Sequence, residues 1–176
     1  LNALGWIGVG AGAAIDAIKR LSFSTSTKLR LAACSALIKI SGDSSAGLPG
    51  MLAVLDDSDG SVRLAAVQRI GEVGHSTQPA VPRIVDPSPP VRAAAALALA
   101  RINARGPEIV QALTGLLREP DAEVQAAAGI ALSTLGKDAE AALPQLRAMQ
   151  NATDARVVAI GKAAVYPERI LPGSFV

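Results

Sequence analysis

Apolar residues recur along the chain at helical spacing, in short blocks separated by polar turns. Leu29, Ala33, Leu37 and Ile40 form one stripe; Val62, Ala66, Ile70 and Val73 a second; Val91, Ala95, Leu99 and Ile102 a third; Val124, Ala128, Leu132 and Leu135 a fourth. Intervals of three and four residues put each set on one helix face, and no stretch alternates convincingly with the period of two that marks a strand. Shorter blocks between them carry stripes of their own, such as Leu48, Leu52 and Leu55, or Val110, Leu113 and Leu117. The pattern predicts helices near residues 2–8, 12–22, 27–41, 46–55, 60–73, 79–85, 89–103, 107–118, 122–135, 139–149 and 154–164. Ser26, Asp59, Ser88, Asp121 and Thr153 stand where N-caps belong. Pro49, Pro82, Pro89, Pro90 and Pro144 fall where only a first helical turn accepts them.

The blocks are copies of one another. TKLRLAACSAL, DGSVRLAAVQRI, SPPVRAAAALAL, AEVQAAAGIAL and TDARVVAIGKA align on Arg30, Arg63, Arg92, Gln125 and Arg156, at spacings of 33, 29, 33 and 31 residues. A second landmark keeps the same rhythm: Ile15-Asp16, Leu48-Pro49, Val81-Pro82, Val110-Gln111 and Leu143-Pro144. A period near 33 is that of a repeated helical hairpin. Three residues after the aligned position every copy has Ala (Ala33, Ala66, Ala95, Ala128, Ala159), which marks a point where neighbouring helices come too close for a longer side chain. The spacing of 29 removes four residues around VPRIVDPSPPVR, so the helix near 79–85 is expected to be a turn shorter and the groove notched there. The fold class is all-α, an α-α superhelix, with residues 1–176 as one solenoid and an irregular tail over 165–176.

Composition narrows the function. Half of the 176 residues are apolar, enough for a packed core, and 17 basic residues against 15 acidic ones leave a formal charge of only +2. That balance gives no broad field for nucleic acid, despite a pI of about 9.0. With one His, one Cys, one Trp and one Tyr, most metal sites and stacking platforms cannot be assembled. No metal and no cofactor are expected. Cys34 has no intrachain disulfide partner and suits a reducing compartment, so a cytoplasmic setting is expected. No apolar run reaches the length of a membrane span, and the opening LNALGWIGVGAGAAI lacks the basic start of a signal peptide.

Candidate chemistry is sparse. His75 reads as a solvated loop residue and Cys34 as a small core residue without a basic partner. The carboxylates Asp56, Asp57, Glu119 and Asp121 lie in turns, where capping explains them. The glycines of GVGAG at residues 8–12 lack the preceding strand and the Lys of a phosphate loop.

In these units the chain resembles HEAT repeats, in particular the short class first recognised in phycobilisome lyases. The resemblance covers nearly the whole chain and implies a right-handed solenoid of about five hairpins. It also implies a ladder joining the repeated Arg to an acidic residue six positions earlier: Asp57 with Arg63 and Asp86 with Arg92, with Glu119 and Gln125 as a polar version. Ser24 with Arg30 and Gln150 with Arg156 depart from it, so the ladder is expected to break at both ends. Shifting the frame by 33 sets Leu1 opposite Cys34, partway through a helix. A fragment of a longer array is therefore expected, its open N-terminal repeat available for self-association.

The second helices of such hairpins line the concave wall. Their outward rows are Ala17, Gly50, Arg83, Ala112 and Gln145, then Arg20, Ala53, Asp86, Gly115 and Ala148. Small residues leave the backbone close to a guest helix or peptide, and Lys19, Arg20, Arg83, Arg118 and Arg147, with Gln145, are the candidate binding residues. A repeated surface without a repeated catalytic group points to a non-enzymatic scaffold for a protein or peptide partner. Two alternatives stay open: a bilin lyase type of subunit, from the resemblance, and weak nucleic-acid binding, from the pI.

Overall fold

The computed structural model describes residues 9–41, 44–73 and 83–165. The expected helix 2–8, the His75 loop, most of helix 79–85 and the tail beyond Val165 lie outside them. The chain divides into two compact units, Leu1–His75 and Ser76–Val176.

In the first unit, α1 (Val9–Leu21) and α2 (Thr27–Ser41) are followed by a 3-10 turn (Ser44–Ala46), the short α3 (Leu48–Leu52) and α4 (Gly60–Val73). In the second, a 3-10 turn at 83–85 leads into α5 (Pro89–Arg101), α6 (Pro107–Leu116) and α7 (Ala122–Leu135). A 3-10 segment (Gly136–Ala142), α8 (Leu143–Ala148), a last 3-10 turn (Met149–Asn151) and α9 (Ala155–Val165) complete it. Among the described residues there is no strand.

Within the first unit α2 packs on α4, and within the second α5 packs on α7 and α7 on α9, so the first helices of successive hairpins stack side by side. Alanine makes this possible. Ala93, Ala95, Ala96 and Ala98 of α5 and Ala127, Ala128 and Ala131 of α7 are all buried, and the α5–α7 contact is the most extensive in the unit. Ala33, Ala66, Ala95 and Ala128 are buried as the repeat predicts, whereas Ala159 is exposed. Leu29 is also a correction: it is 50% exposed, and Leu31 enters the core of α2 in its place.

The first helices match their predicted bounds closely; of the second helices, the predicted 12–22 runs over Val9–Leu21, while 46–55, 107–118 and 139–149 come out shorter. The predicted 46–55 resolves into a 3-10 turn and five α-helical residues, and 139–149 into a 3-10 segment and six. Each of these α-segments has Pro as its second residue, Pro49 or Pro144. Proline has no N–H to donate back into a preceding turn, so it suits a helix start and the residues before it take tighter turns.

Small residues also set how closely the two helices of a hairpin approach. A Cβ on Gly50 would lie 2.5 Å from the Cys34 sulfur, and one on Gly47 would overlap the Cys34 carbonyl. Gly50 was expected to lie against a guest; its smallness instead lets α3 sit on α2. At the end of α5, Asn103 takes a left-handed conformation (φ 50°), its N–H donates to Ala100 O at 3.1 Å and that of Ala104 to Leu99 O at 3.0 Å. Asn tolerates that backbone and closes the helix.

Candidate functional site

The repeated basic position lies in the first turn of each first helix, and its side chain reaches back over the turn it has just left. Arg30 Nε donates to the Ser24 carbonyl at 3.0 Å, Arg63 Nη1 to that of Asp57 at 2.8 Å, Arg92 Nη1 to that of Asp86 at 2.7 Å and Gln125 Nε2 to that of Glu119 at 2.6 Å. The acceptor is the backbone six residues earlier, so the closure does not need an acidic side chain there. This corrects the expected break at Ser24. Arg156 does depart: it pairs with Asp154 at 3.0 Å, because this copy alone combines a repeated Arg with an Asp two residues before it.

The acidic side chains of the ladder serve the previous repeat and their own turn. Asp57 Oδ2 accepts from Thr27 Oγ1 at 3.1 Å, thirty residues earlier, while its Oδ1 accepts from the Asp59 N–H at 2.9 Å. Arg92 donates from Nε and Nη2 to Glu119 Oε2 at 3.0 and 2.5 Å. Asp86, expected among outward-facing residues, is only 4% exposed, and its Oδ1 accepts from the Ser88 N–H at 2.9 Å. Counted back from the following Arg, it belongs with Asp57 and Glu119 inside the turn.

The predicted caps hold in part. Asp121 accepts from the N–H groups of Glu123 and Val124 at 2.9 and 3.0 Å, and Asp59 from that of Ser61 at 2.8 Å. The Ser88 side chain makes no capping bond. The cap of α9 is Asp154, not Thr153, accepting from the Arg156 N–H at 2.8 Å. The hydrogen bonds from Ser61 lower the Asp59 carboxyl below its ordinary range, and those from Arg156 do the same for Asp154. Burial pushes the Cys34 thiol up, against the nearby Arg30 charge.

Of the predicted binding residues, two meet. Arg118 and Gln145 line one cleft of about 240 Å³ in the second unit, with Leu117, Gln125, Ala148, Met149, Ala152 and Val157. It lies between the end of α6, the first turn of α7, α8 and the start of α9. Leu117, Met149 and Val157 are buried and form its floor; Arg118 and Ala148 are exposed at its edge. Arg147 is exposed on α8 beside the cleft without lining it, and Arg83 is half-buried in the turn at 83–85. Lys19 and Arg20 are exposed on α1 in the first unit, Lys19 Nζ lying 3.8 Å from Asp16. The apolar floor was missed by the sequence reading, because Met149 and Val157 look like ordinary core positions. The one available signal was that both flank the turn before the repeated Arg156.

No three of His, Cys, Asp and Glu gather as a metal site among the described residues, and no helix there is long and apolar enough to cross a membrane.

Side-by-side helical hairpins, each turn held by a side chain of the helix that follows, define a helical-repeat protein. The profile of HEAT repeats matches residues 48–105 and 77–164, and the chain belongs to the HEAT-repeat family. No curated protein matches it in sequence. Among solved structures, it is similar to the complex of CpcE and CpcF of phycocyanin lyase from Nostoc sp. PCC7120, with a TM-score of 0.71 and 22% identity over 86% of this chain and 64% of that one. An engineered protein gives a TM-score of 0.67 at 21% identity, over 86% of this chain and 77% of that one. A designed armadillo repeat protein in complex with the peptide (KR)4 gives 0.66 at 22% identity, over 89% and 82%. These likenesses fix the fold as an all-α repeat solenoid.

Proposed function

We propose that this chain is a non-enzymatic scaffold that holds a partner protein or peptide on the faces of its second helices. The observation that carries the reading is the cleft where Arg118, a candidate binding residue, and Gln145, outward-facing in the repeat frame, share one surface with the small Ala148. Arg83 and Arg147, in the same unit, are proposed to add to that surface, and Lys19 and Arg20 to form a separate set of contacts on the first unit. Two of the similar solved structures support a role in protein contacts: one is a complex of two proteins and the other a complex with a peptide. The lone thiol of Cys34 supports a cytoplasmic setting.

Chemical cross-linking of the chain to proteins of a cell extract, followed by mass spectrometry, tests the reading. Cross-links are expected on the second helices, and capture is expected to drop when Arg118, Gln145 and Arg147 are replaced together by Ala. Undiminished capture by that triple variant overturns the proposed surface. A shifted visible absorption band on incubation with a bilin would replace the scaffold reading by a chromophore-handling one.

A further inference from the structure

We propose that the Arg118–Gln145 cleft takes an aliphatic side chain from an extended segment of a partner protein, with an acidic residue beside it paired to Arg118. The inference rests on the scaffold reading and narrows it to one subsite and one partner chemistry.

Three features converge. First, a cleft of about 240 Å³ falls below the roughly 300–1,000 Å³ usual for small-molecule and cofactor sites, and suits one or two side chains. Its floor of Leu117, Met149 and Val157 is aliphatic and thioether, which gains from covering by another apolar group and offers nothing to a phosphodiester chain.

Second, Arg118 makes no ion pair with any described residue, although it stands beside two acidic ones. Glu119 is engaged by Arg92 and Asp121 by the first N–H groups of α7. Arg147, on the neighbouring α8, is likewise exposed and without an ion pair among the described residues. The edge of the cleft is therefore positive, and complementary to a carboxylate.

Third, the Gln145 side chain lines the cleft while its Oε1 is buried without a hydrogen-bond partner. A buried acceptor left unmade is costly, and a small rotation of the amide toward a backbone N–H of the incoming segment satisfies it. The charge preference is opposite to that of the peptide (KR)4 held by the similar designed armadillo protein.

The test is selection from a randomised heptapeptide display library on the full chain, followed by fluorescence anisotropy of the selected peptides. Enriched sequences are expected to place Asp or Glu next to Leu, Ile, Val or Met. Their affinity is expected to fall at least about tenfold in Arg118→Glu, which reverses the edge charge, and in Ala148→Trp, which fills the cleft from an exposed position. It is also expected to weaken several-fold between about 50 and 500 mM salt, as screening shortens the reach of Arg118. Circular dichroism of both variants shows whether the helices persist, and Arg118→Lys should keep most of the binding. Enrichment of basic or uncharged peptides, or affinity indifferent to both variants, overturns the acidic subsite while leaving the scaffold reading standing. The absence of any enriched peptide overturns the subsite too, and the cross-linking experiment then decides the scaffold reading separately. Binding of an oligothymidylate that is lost in Arg118→Glu overturns the inference in favour of a phosphate partner.

Discussion

Arg92 and Glu119 lock two successive hairpins together: two guanidinium nitrogens of Arg92 meet one carboxylate oxygen of Glu119, while its third nitrogen holds the Asp86 carbonyl. Their side chains are 16% and 24% exposed, so the pair is largely shielded from solvent. Removing Arg92 leaves a shielded carboxylate and an open turn at once. Arg92→Leu is expected to destabilise the fold by about 2–3 kcal/mol, and Glu119→Gln by about 1–2 kcal/mol. Urea unfolding of both single variants and the double variant should give a coupling energy of about 1 kcal/mol or more. Simple additivity would show that the two side chains do not act together.

The glycines divide into those that allow helix approach and those that do not. A methyl at Gly50 meets the Cys34 sulfur, whereas Gly115 of α6 has open space around it. Gly50→Ala is expected to cost about 1–3 kcal/mol, from overpacking. Gly115→Ala is expected to stabilise by up to about 1 kcal/mol, because it removes backbone freedom at no steric cost. Thermal unfolding of the two variants gives the contrast directly.

Caps predict a second contrast. Asp121→Ala removes an acceptor used by two N–H groups and is expected to cost about 1 kcal/mol. Ser88→Ala removes a hydroxyl that makes no capping bond, and the change is expected to stay within about 0.5 kcal/mol. Denaturant midpoints measured at equal slope test both.

Acid should loosen the ends of α4 and α9. Asp59 and Asp154 sit below the ordinary carboxyl range, held there by hydrogen bonds from Ser61 and Arg156. A carboxyl lowered in the fold adds stability above its unfolded value of about 4 and loses that contribution as pH falls through the lower folded value. The denaturation midpoint is expected to decline below about pH 4, and less so in a variant carrying Asp59→Asn and Asp154→Asn. Equal declines in both proteins would assign the acid sensitivity elsewhere.

Cys34 is 1% exposed and its thiol is pushed up by burial. At neutral pH the native protein is expected to resist a thiol-disulfide reagent over hours, and to react with one equivalent within minutes once unfolded in urea. Fast reaction of the folded protein would place Cys34 at the surface.

The repeat made much of the fold legible in advance. Helices over 27–41, 60–73 and 122–135 follow from residues such as Val62, Ala66 and Ile70, whose spacing has one solution in a helix. Helices 46–55, 107–118 and 139–149 were overestimated because an apolar stripe such as Leu48, Leu52 and Leu55 runs on into turns closed by i to i+3 bonds, Leu55 N–H to Leu52 O at 3.1 Å, where period alone does not distinguish the geometries. The site was less legible. Gln145 follows from the frame and Arg118 from its charge, but the cleft needs Met149 and Val157 brought under them, and that is set by how hairpins stack. Asp86 shows the limit of counting: a four-residue deletion moved it from an outward row to a buried turn.

The clasp on the backbone carbonyl, made by Arg30, Arg63, Arg92 and Gln125, sits on the helix leaving its turn, six residues downstream, and travels with that turn whenever a stretch of gene is copied. Duplicating or losing a whole hairpin therefore delivers joints already finished, and only the side-chain partnerships across the new seam, of the Arg92–Glu119 kind, have to be rebuilt. Array length is cheap to change in such a design, while the composition of each hinge is not.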